Sequence, residues 1–144
     1  FFSRKVVFCE KATSLAVYRK DSSTKVASMK VFHNVASMKR LRRFLALNNC
    51  ELDLLEIFDS QIIPSSYAWV IGNLAFNGYP YKEWTKIIKN KKIWDQVRKF
   101  KVLTKETPYY RRVKLAKSLF FLSPFLFYIT MRIIKKQYDK NSEE

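Results

Sequence analysis

The sequence has little of what tight turns and β-hairpins need. Its 144 residues include two glycines and four prolines, the residues on which such turns largely depend. Helices are therefore favoured over a β-rich fold, and the length indicates one small domain. We predict an all-α fold, a small set of packed helices and helical hairpins followed by a long C-terminal hydrophobic helix.

Catalytic and metal-binding groups are also scarce. The chain has one histidine, His33, and two cysteines, Cys9 and Cys50, and it contains no GxxxxGK[ST], GxGxxG or CxxC motif. These motifs are the usual signals of a phosphate-binding loop or a zinc site, and one histidine gives no support to a catalytic triad. We therefore predict no enzymatic activity, no cofactor, no metal and no small-molecule substrate, with free thiols in a reducing compartment.

Negative charge is in short supply. Only 12 acidic residues accompany 28 lysines and arginines, which gives a formal net charge of +16. Such a charge opposes compaction of an isolated chain, and rRNA or anionic lipid would relieve it. Aromatic residues make up 16% of the chain, too many for a disordered tail. A basic run in the first predicted helix supplies the candidate RNA contacts Lys39, Arg40, Arg42 and Arg43.

The acidic residues are concentrated on a predicted helix over residues 51–63. Asp53, Glu56 and Asp59 share one face of it, and Pro64 is expected to start the next helix. The acidic face is a solvated surface, a contact for a basic neighbour, or a contact for the basic helix of this chain.

One stretch near the C-terminus, residues 119–131, has no charge and no polar face. As a helix it would reach about 20 Å, against about 30 Å of bilayer hydrocarbon. Extended to residues 115–134, it could span a bilayer if Lys117 and Arg132 snorkel to the headgroups. We predict one membrane span in a terminal helix opened by Pro108; the alternative is a helix buried in a large soluble assembly. The predicted membrane-segment residues are Leu119, Phe120, Phe121, Leu122, Pro124, Phe125, Leu126, Phe127, Ile129 and Met131.

Basic residues flank this stretch. The predicted contacts for lipid headgroups or phosphate are Arg111, Arg112, Lys114, Lys117 and Arg132. The excess of positive charge before the stretch places the N-terminal part on the negative side of the membrane, which is the matrix in a mitochondrion. The first residues, rich in basic, serine and alanine side chains, are typical of a processed mitochondrial targeting sequence or of an ordinary basic arm. The predicted divisions are a basic arm (1–23), a helical domain (24–104) and a C-terminal part (105–144) that ends in a polar tail.

Two short segments are similar to each other. Residues 45–49 read LALNN and residues 74–78 read LAFNG, and each precedes a helix with apolar residues. The stretch LAFNGYPYKEWTKII, residues 74–88, resembles the helix-pair repeats of organellar RNA-binding proteins of the octotricopeptide and RAP type. In those repeats a Leu-Ala pair precedes a turn glycine and a bulky residue starts the next helix. The first copy departs from that pattern, because Asn49 replaces the glycine. The resemblance implies a stack of helical hairpins that contacts RNA.

Three hypotheses about function follow. The first is a non-catalytic accessory subunit of a mitochondrial inner-membrane complex, respiratory or ATP synthase, that packs on other protein subunits and on lipid. In it, buried contacts would be carried by Trp69, Trp84, Trp94 and Phe76. The second is a protein of the matrix ribosome, or another rRNA-binding subunit, that neutralises phosphates. The third is a soluble helical module that docks its basic face on an acidic protein.

Overall fold

The structure is a computed structural model that describes residues 27–101 and 110–140. All secondary structure in these two ranges is helical, which confirms the all-α prediction. A 3-10 turn (Met29–Val31) precedes the first α-helix, and a π-helical turn (Phe58–Ile62) separates the second from the third. The α-helices of the two ranges are α1 (Phe32–Leu47), α2 (Leu52–Ile57), α3 (Ile63–Phe76), α4 (Tyr81–Ile88), α5 (Lys91–Lys99), α6 (Tyr110–Leu122) and α7 (Pro124–Lys140).

The central element is α3, which contacts α1, α4, α5 and α7. Within the described chain, α3 exposes only Trp69, and its other residues are buried or half-buried. This agrees with its sequence, because a helix that is apolar on most sides is stable in water only when other elements cover it. Val70, Leu74 and Ala75 are completely inaccessible to solvent.

The acidic helix runs into α3 without a loop, which differs from the separate helices predicted on either side of Pro64. The π-helical turn ends at Ile62, two residues before that proline. Proline has no N–H to donate to the carbonyl four residues earlier, so the hydrogen-bond ladder must be rearranged at this point. The hydroxyls of Ser65 and Ser66 donate to the carbonyl of Ile62 at 2.8 and 2.9 Å.

An aromatic cluster joins α4, α6 and α7 to α3. Trp84 is fully buried, and its indole N–H donates to the carbonyl of Ile71 at 3.1 Å. The Trp84 ring lies 5.4 Å from Tyr128 and 6.2 Å from both Phe120 and Phe127, measured between centroids. These rings belong to the same core cluster as α3, so α6 and α7 pack on the body formed by α3 to α5.

The long terminal helix of the prediction is two helices in the structure. The break falls at Ser123, where the hydroxyl accepts from the N–H of Leu126 at 3.3 Å, and Pro124 begins α7. Proline ends the ladder of α6 and is well suited to the first turn of α7. A straight helix would separate residues 113 and 131 by roughly 27 Å, yet both line the same cavity. The two helices therefore bend around that cavity.

In the part of the chain that the structure describes, no helix combines the length and the apolar character needed to cross a membrane. The helices α6 and α7 have 13 and 17 residues, and α7 ends in basic residues. The basic arm (1–23), the residues around Pro108 and the end of the polar tail lie outside the described ranges.

Candidate interaction surfaces

Six large apolar residues of α7 are exposed, and four of them lie on the same side of the helix. Phe125, Leu126, Ile129 and Ile133 are 52%, 48%, 39% and 52% exposed. Their spacing of one, three and four residues places them on one side of the helix. We call this set the outer face of α7. The exposed cations Lys136 and Lys140 continue the same side toward the end of the helix.

The predicted membrane-segment residues are divided between this outward side and the core. Phe120 and Phe127 are 3% and 7% exposed and contact each other and Trp84. Leu122 is 80% exposed, and it lies just before the break. The half-buried residues of the segment are Leu119, Phe121, Pro124 and Met131.

Some of the predicted lipid or phosphate contacts are exposed, and others are turned toward the interior of the protein. Arg111, Arg112 and Lys114 are exposed on α6. Arg132 is turned inward and donates from Nη1 to the carbonyl of Phe76 at 3.2 Å. That bond supplies a partner for a carbonyl at the C-terminus of α3, where the helix itself provides none.

Lys117 is also turned inward. Its Nζ donates to the carbonyl of Phe100 and, at 3.4 Å, to that of Arg98, at the end of α5. It lies 5.7 and 5.9 Å from the centroids of the Phe100 and Phe121 rings. Burial, and secondarily the positive charge of Lys101, lower the pKa of Lys117.

The candidate RNA contacts on α1 are partly used within the chain. Arg42 forms an ion pair with Asp59 at 2.7 Å, so the acidic face contacts the basic helix of this chain at this residue. Lys39 donates to the hydroxyl of Tyr67 at 2.9 Å. Arg40 and Arg43 are exposed, and they remain available to an external anion.

A second set of exposed apolar residues lies on α1 and α2, and sequence reasoning did not identify it as a surface. Leu41 lies at helical spacing from Val31 and Val35, but it is 44% exposed, whereas the two valines are buried. The other exposed members of the set are Phe44, Leu47, Leu52, Leu54 and Ile57.

The two similar segments, residues 45–49 and 74–78, form the same helix end. At the first, the N–H of Cys50 donates to Leu45 and that of Asn49 to Ala46; at the second, the N–H of Tyr79 donates to Leu74 and that of Gly78 to Ala75. Both pairs are the Schellman pattern. The residues that must adopt positive φ, Asn49 at 53° and Gly78 at 81°, occupy equivalent positions.

A cavity of about 310 Å³ lies where α3, α5, α6 and α7 meet, and its wall is almost entirely apolar. A Cβ atom added to Gly72 would meet nothing within 4 Å, so the cavity reaches the backbone of α3. Lys117 is the only charged residue among the described residues that line it. The remaining lining residues are Ala68, Trp69, Ile71, Val97, Phe100, Val113, Ala116, Phe120, Phe127 and Met131.

Of the four aromatic residues expected to carry buried contacts, Trp84 is fully buried and Trp69 is 42% exposed at the rim of the cavity. Trp94 and Phe76 are half-buried. Among the residues the structure describes, no group of three or more histidine, cysteine, aspartate or glutamate side chains could hold a metal ion. Comparison with known proteins gives no match to a family model, to a curated protein or to a solved structure.

Proposed function

We propose that this chain is a non-catalytic accessory subunit of a large assembly at the mitochondrial inner membrane, of the respiratory chain or ATP synthase, with its N-terminal part on the matrix side. The observation that carries the proposal is the outer face of α7. A helix whose inner side already forms core presents a continuous second apolar side to the surroundings. Soluble monomers rarely leave such a stripe uncovered, and it marks a contact with protein or lipid.

The pattern along α7 fits a helix that lies against its partner rather than one that crosses a bilayer. Apolar residues from Phe125 to Ile133 are followed on the same side by Lys136 and Lys140. Such a helix packs its apolar side on neighbouring subunits or in the membrane interface, with its basic end near anionic groups. Exposed Arg111 and Arg112 of α6 would add about 1 kcal/mol per charge beside an anionic membrane surface.

The inner part of the molecule suits a structural subunit. The Trp84 cluster ties α3, α4, α6 and α7 into one body through ring contacts and the bond from the Tyr128 hydroxyl to the carbonyl of Tyr79 at 2.6 Å. A body whose α7 is buried on its inner side and uncovered on its outer face is what a subunit needs to pack on a neighbour.

Native size fractionation of solubilised mitochondria, with and without RNase, tests the assignment. We expect the protein to migrate with a respiratory or ATP synthase complex, at a position that RNase does not change. Migration with rRNA that RNase abolishes would contradict the proposal.

A variant of the outer face makes the test specific. The triple variant Leu126→Ser, Ile129→Ser, Ile133→Ser is expected to leave the complex and to run as a free subunit, because it removes the apolar contact while Phe127 keeps the core intact. The matched control changes three exposed leucines elsewhere, Leu41→Ser, Leu47→Ser and Leu52→Ser. If only the control variant dissociates, the contact with the complex lies on α1–α2, and the proposed contact through the outer face of α7 is contradicted.

Binding to rRNA is the second candidate, and the exposed cations of α5 favour it. Lys91 and Lys92 begin that helix and Arg98 and Lys99 end it, all exposed. With Arg40 and Arg43 they could neutralise phosphates without reading sequence. The resemblance of residues 74–88 to organellar helix-pair repeats supports the same candidate, and the RNase arm above distinguishes it from the first.

A further inference from the structure

The cavity between α3 and α7 has no part in the contacts proposed above, and its chemistry points to a ligand. Its wall is apolar, and Lys117, whose amine is held by the carbonyls of Arg98 and Phe100, is the one charged residue among the described residues that line it. We propose that this cavity binds the hydrocarbon chain of a single-chain anionic amphiphile, a fatty acid, with its carboxylate beside Lys117.

The size of the cavity suits one chain. Ligand pockets in proteins have volumes of about 300–1,000 Å³, and this cavity, at about 310 Å³, lies at the small end. An apolar cavity of this kind does not hold ordered water well and accepts hydrocarbon instead. A phospholipid with two chains would not fit within it.

Gly72 provides an independent reason to regard the space as functional. Glycine inside a helix is destabilising relative to alanine. Neither usual justification applies here, because its φ is not positive and no neighbouring atom lies within 4 Å of where a Cβ would be. What the missing side chain leaves is room beside Ala68 and Ala116, which also line the cavity.

The positive charge of Lys117 at the cavity favours a ligand whose head group is negatively charged. Lys117 and Lys101 lie close enough for the charge of Lys101 to disfavour protonation of Lys117, and burial acts in the same direction. A bound carboxylate would offset both effects, since an opposite charge nearby favours the protonated amine. The carbonyls of Arg98 and Phe100 hold the amine at this position before a ligand arrives.

The test is calorimetric titration of the full chain with dodecanoate below its micellar range. We expect saturable binding with one chain per protein. Dodecyltrimethylammonium, which has the same tail and the opposite head charge, should bind at least about tenfold more weakly, the equivalent of one charge-assisted hydrogen bond.

Variants of the cavity wall and of Lys117 test binding of the hydrocarbon tail and of the carboxylate separately. Gly72→Leu and Ala116→Leu fill the cavity from two different helices, and each should abolish dodecanoate binding; urea unfolding verifies that each is folded. Lys117→Met should weaken dodecanoate about tenfold and should strengthen binding of the cationic amphiphile, because it removes the like charge beside its head group. Lys136→Met, on the outer side of α7, is the matched control and should bind as the wild type does.

An arm with phosphatidylglycerol vesicles distinguishes a free fatty acid from the chain of a membrane lipid. Partition of the protein onto vesicles should be the same for Gly72→Leu and wild type, since the outer face of α7 is intact. The proposal is overturned if wild-type protein shows no saturable dodecanoate binding, if both cavity-filling variants bind it normally, or if Gly72→Leu loses only vesicle binding. The fractionation experiment above is independent of all three results.

Discussion

The helix α3 and the first half of α7, residues 124–131, are both uncharged in sequence, yet the molecule uses them differently. Around α3, other helices cover every side except at Trp69. Around α7, they cover the side that carries Phe127 and Tyr128 and leave the outer face open. The same kind of sequence is therefore covered on nearly all sides in α3 and on one side only in α7.

The difference shows that an uncharged helical segment is stabilised when another surface covers it, but that its sequence does not specify which surface does so. A chain of this size has too few elements to enclose two such helices, because the fraction of surface buried falls as a domain becomes smaller. The helices α1, α4, α5 and α7 pack around α3. For α7, no element of the described chain covers the outer face.

The largest effect is expected at the indole that joins the two helices. Trp84→Ala should lower the free energy of unfolding by about 3–5 kcal/mol, because it removes a fully buried ring and leaves a cavity between α3 and α7. Urea unfolding followed by circular dichroism measures it. Trp69→Ala, on the exposed side of α3, is the control and should cost about 1 kcal/mol or less. Equal losses would mean that α3 is not covered as described.

The next comparison lies within α7 and uses the same chemical change on its two sides. Phe127→Ala should cost about 3 kcal/mol and Phe125→Ala about 1 kcal/mol, since the first ring is buried and the second is half exposed. Urea unfolding of the isolated chain gives both values. In the native assembly, Phe125→Ala should reduce retention of the protein in the complex more than Phe127→Ala does. A larger loss of retention for Phe127→Ala would indicate that the outer face of α7 has no partner.

The two glycines of the chain should respond with opposite signs. Gly78→Ala is expected to destabilise by about 1–3 kcal/mol, because its φ of 81° is strained for alanine and its new Cβ would collide with the Arg132 guanidinium. Gly72→Ala should stabilise by about 0.5–1 kcal/mol through helix propensity, since the space around it is open. Thermal unfolding of the pair measures both, and a destabilising Gly72→Ala would show that the cavity is occupied by protein atoms.

The smallest effect concerns the pH dependence of stability at Lys117. Its pKa is lowered in the folded protein, so the unfolded chain binds more protons in the window just below the ordinary lysine pKa, and this residue makes stability rise with pH there. Lys117→Met should remove that component. Urea unfolding of both proteins from about pH 8 to about pH 10.5 provides the comparison. Wild type should gain relative to the variant as the pH rises, and parallel curves would contradict the burial of the amine.

Sequence reasoning located the helix ends well and the surfaces poorly. Asparagine and glycine are residue types that favour turns and left-handed helix caps, and the structure has its positive φ values, among the described residues, at Asn49 and Gly78. The exposed leucines of α1 and α2 were not anticipated, because apolar spacing along α1 indicates one face without indicating how far its cover extends. The cavity was missed entirely, since Gly72 gave no signal beyond its rarity.

The sequence by itself determined the helical structure and the cap at Gly78, which depend on neighbours within a turn or two, and the excess of positive charge. Tertiary structure alone decided which half of residues 119–131 is buried and where Lys117 and Arg132 point. Those outcomes rest on contacts between distant residues, such as Arg132 with Phe76 and Tyr128 with Tyr79. Local periodicity cannot encode these contacts, because the hydrophobic effect is non-directional and an apolar side chain is stabilised by burial against any apolar surface.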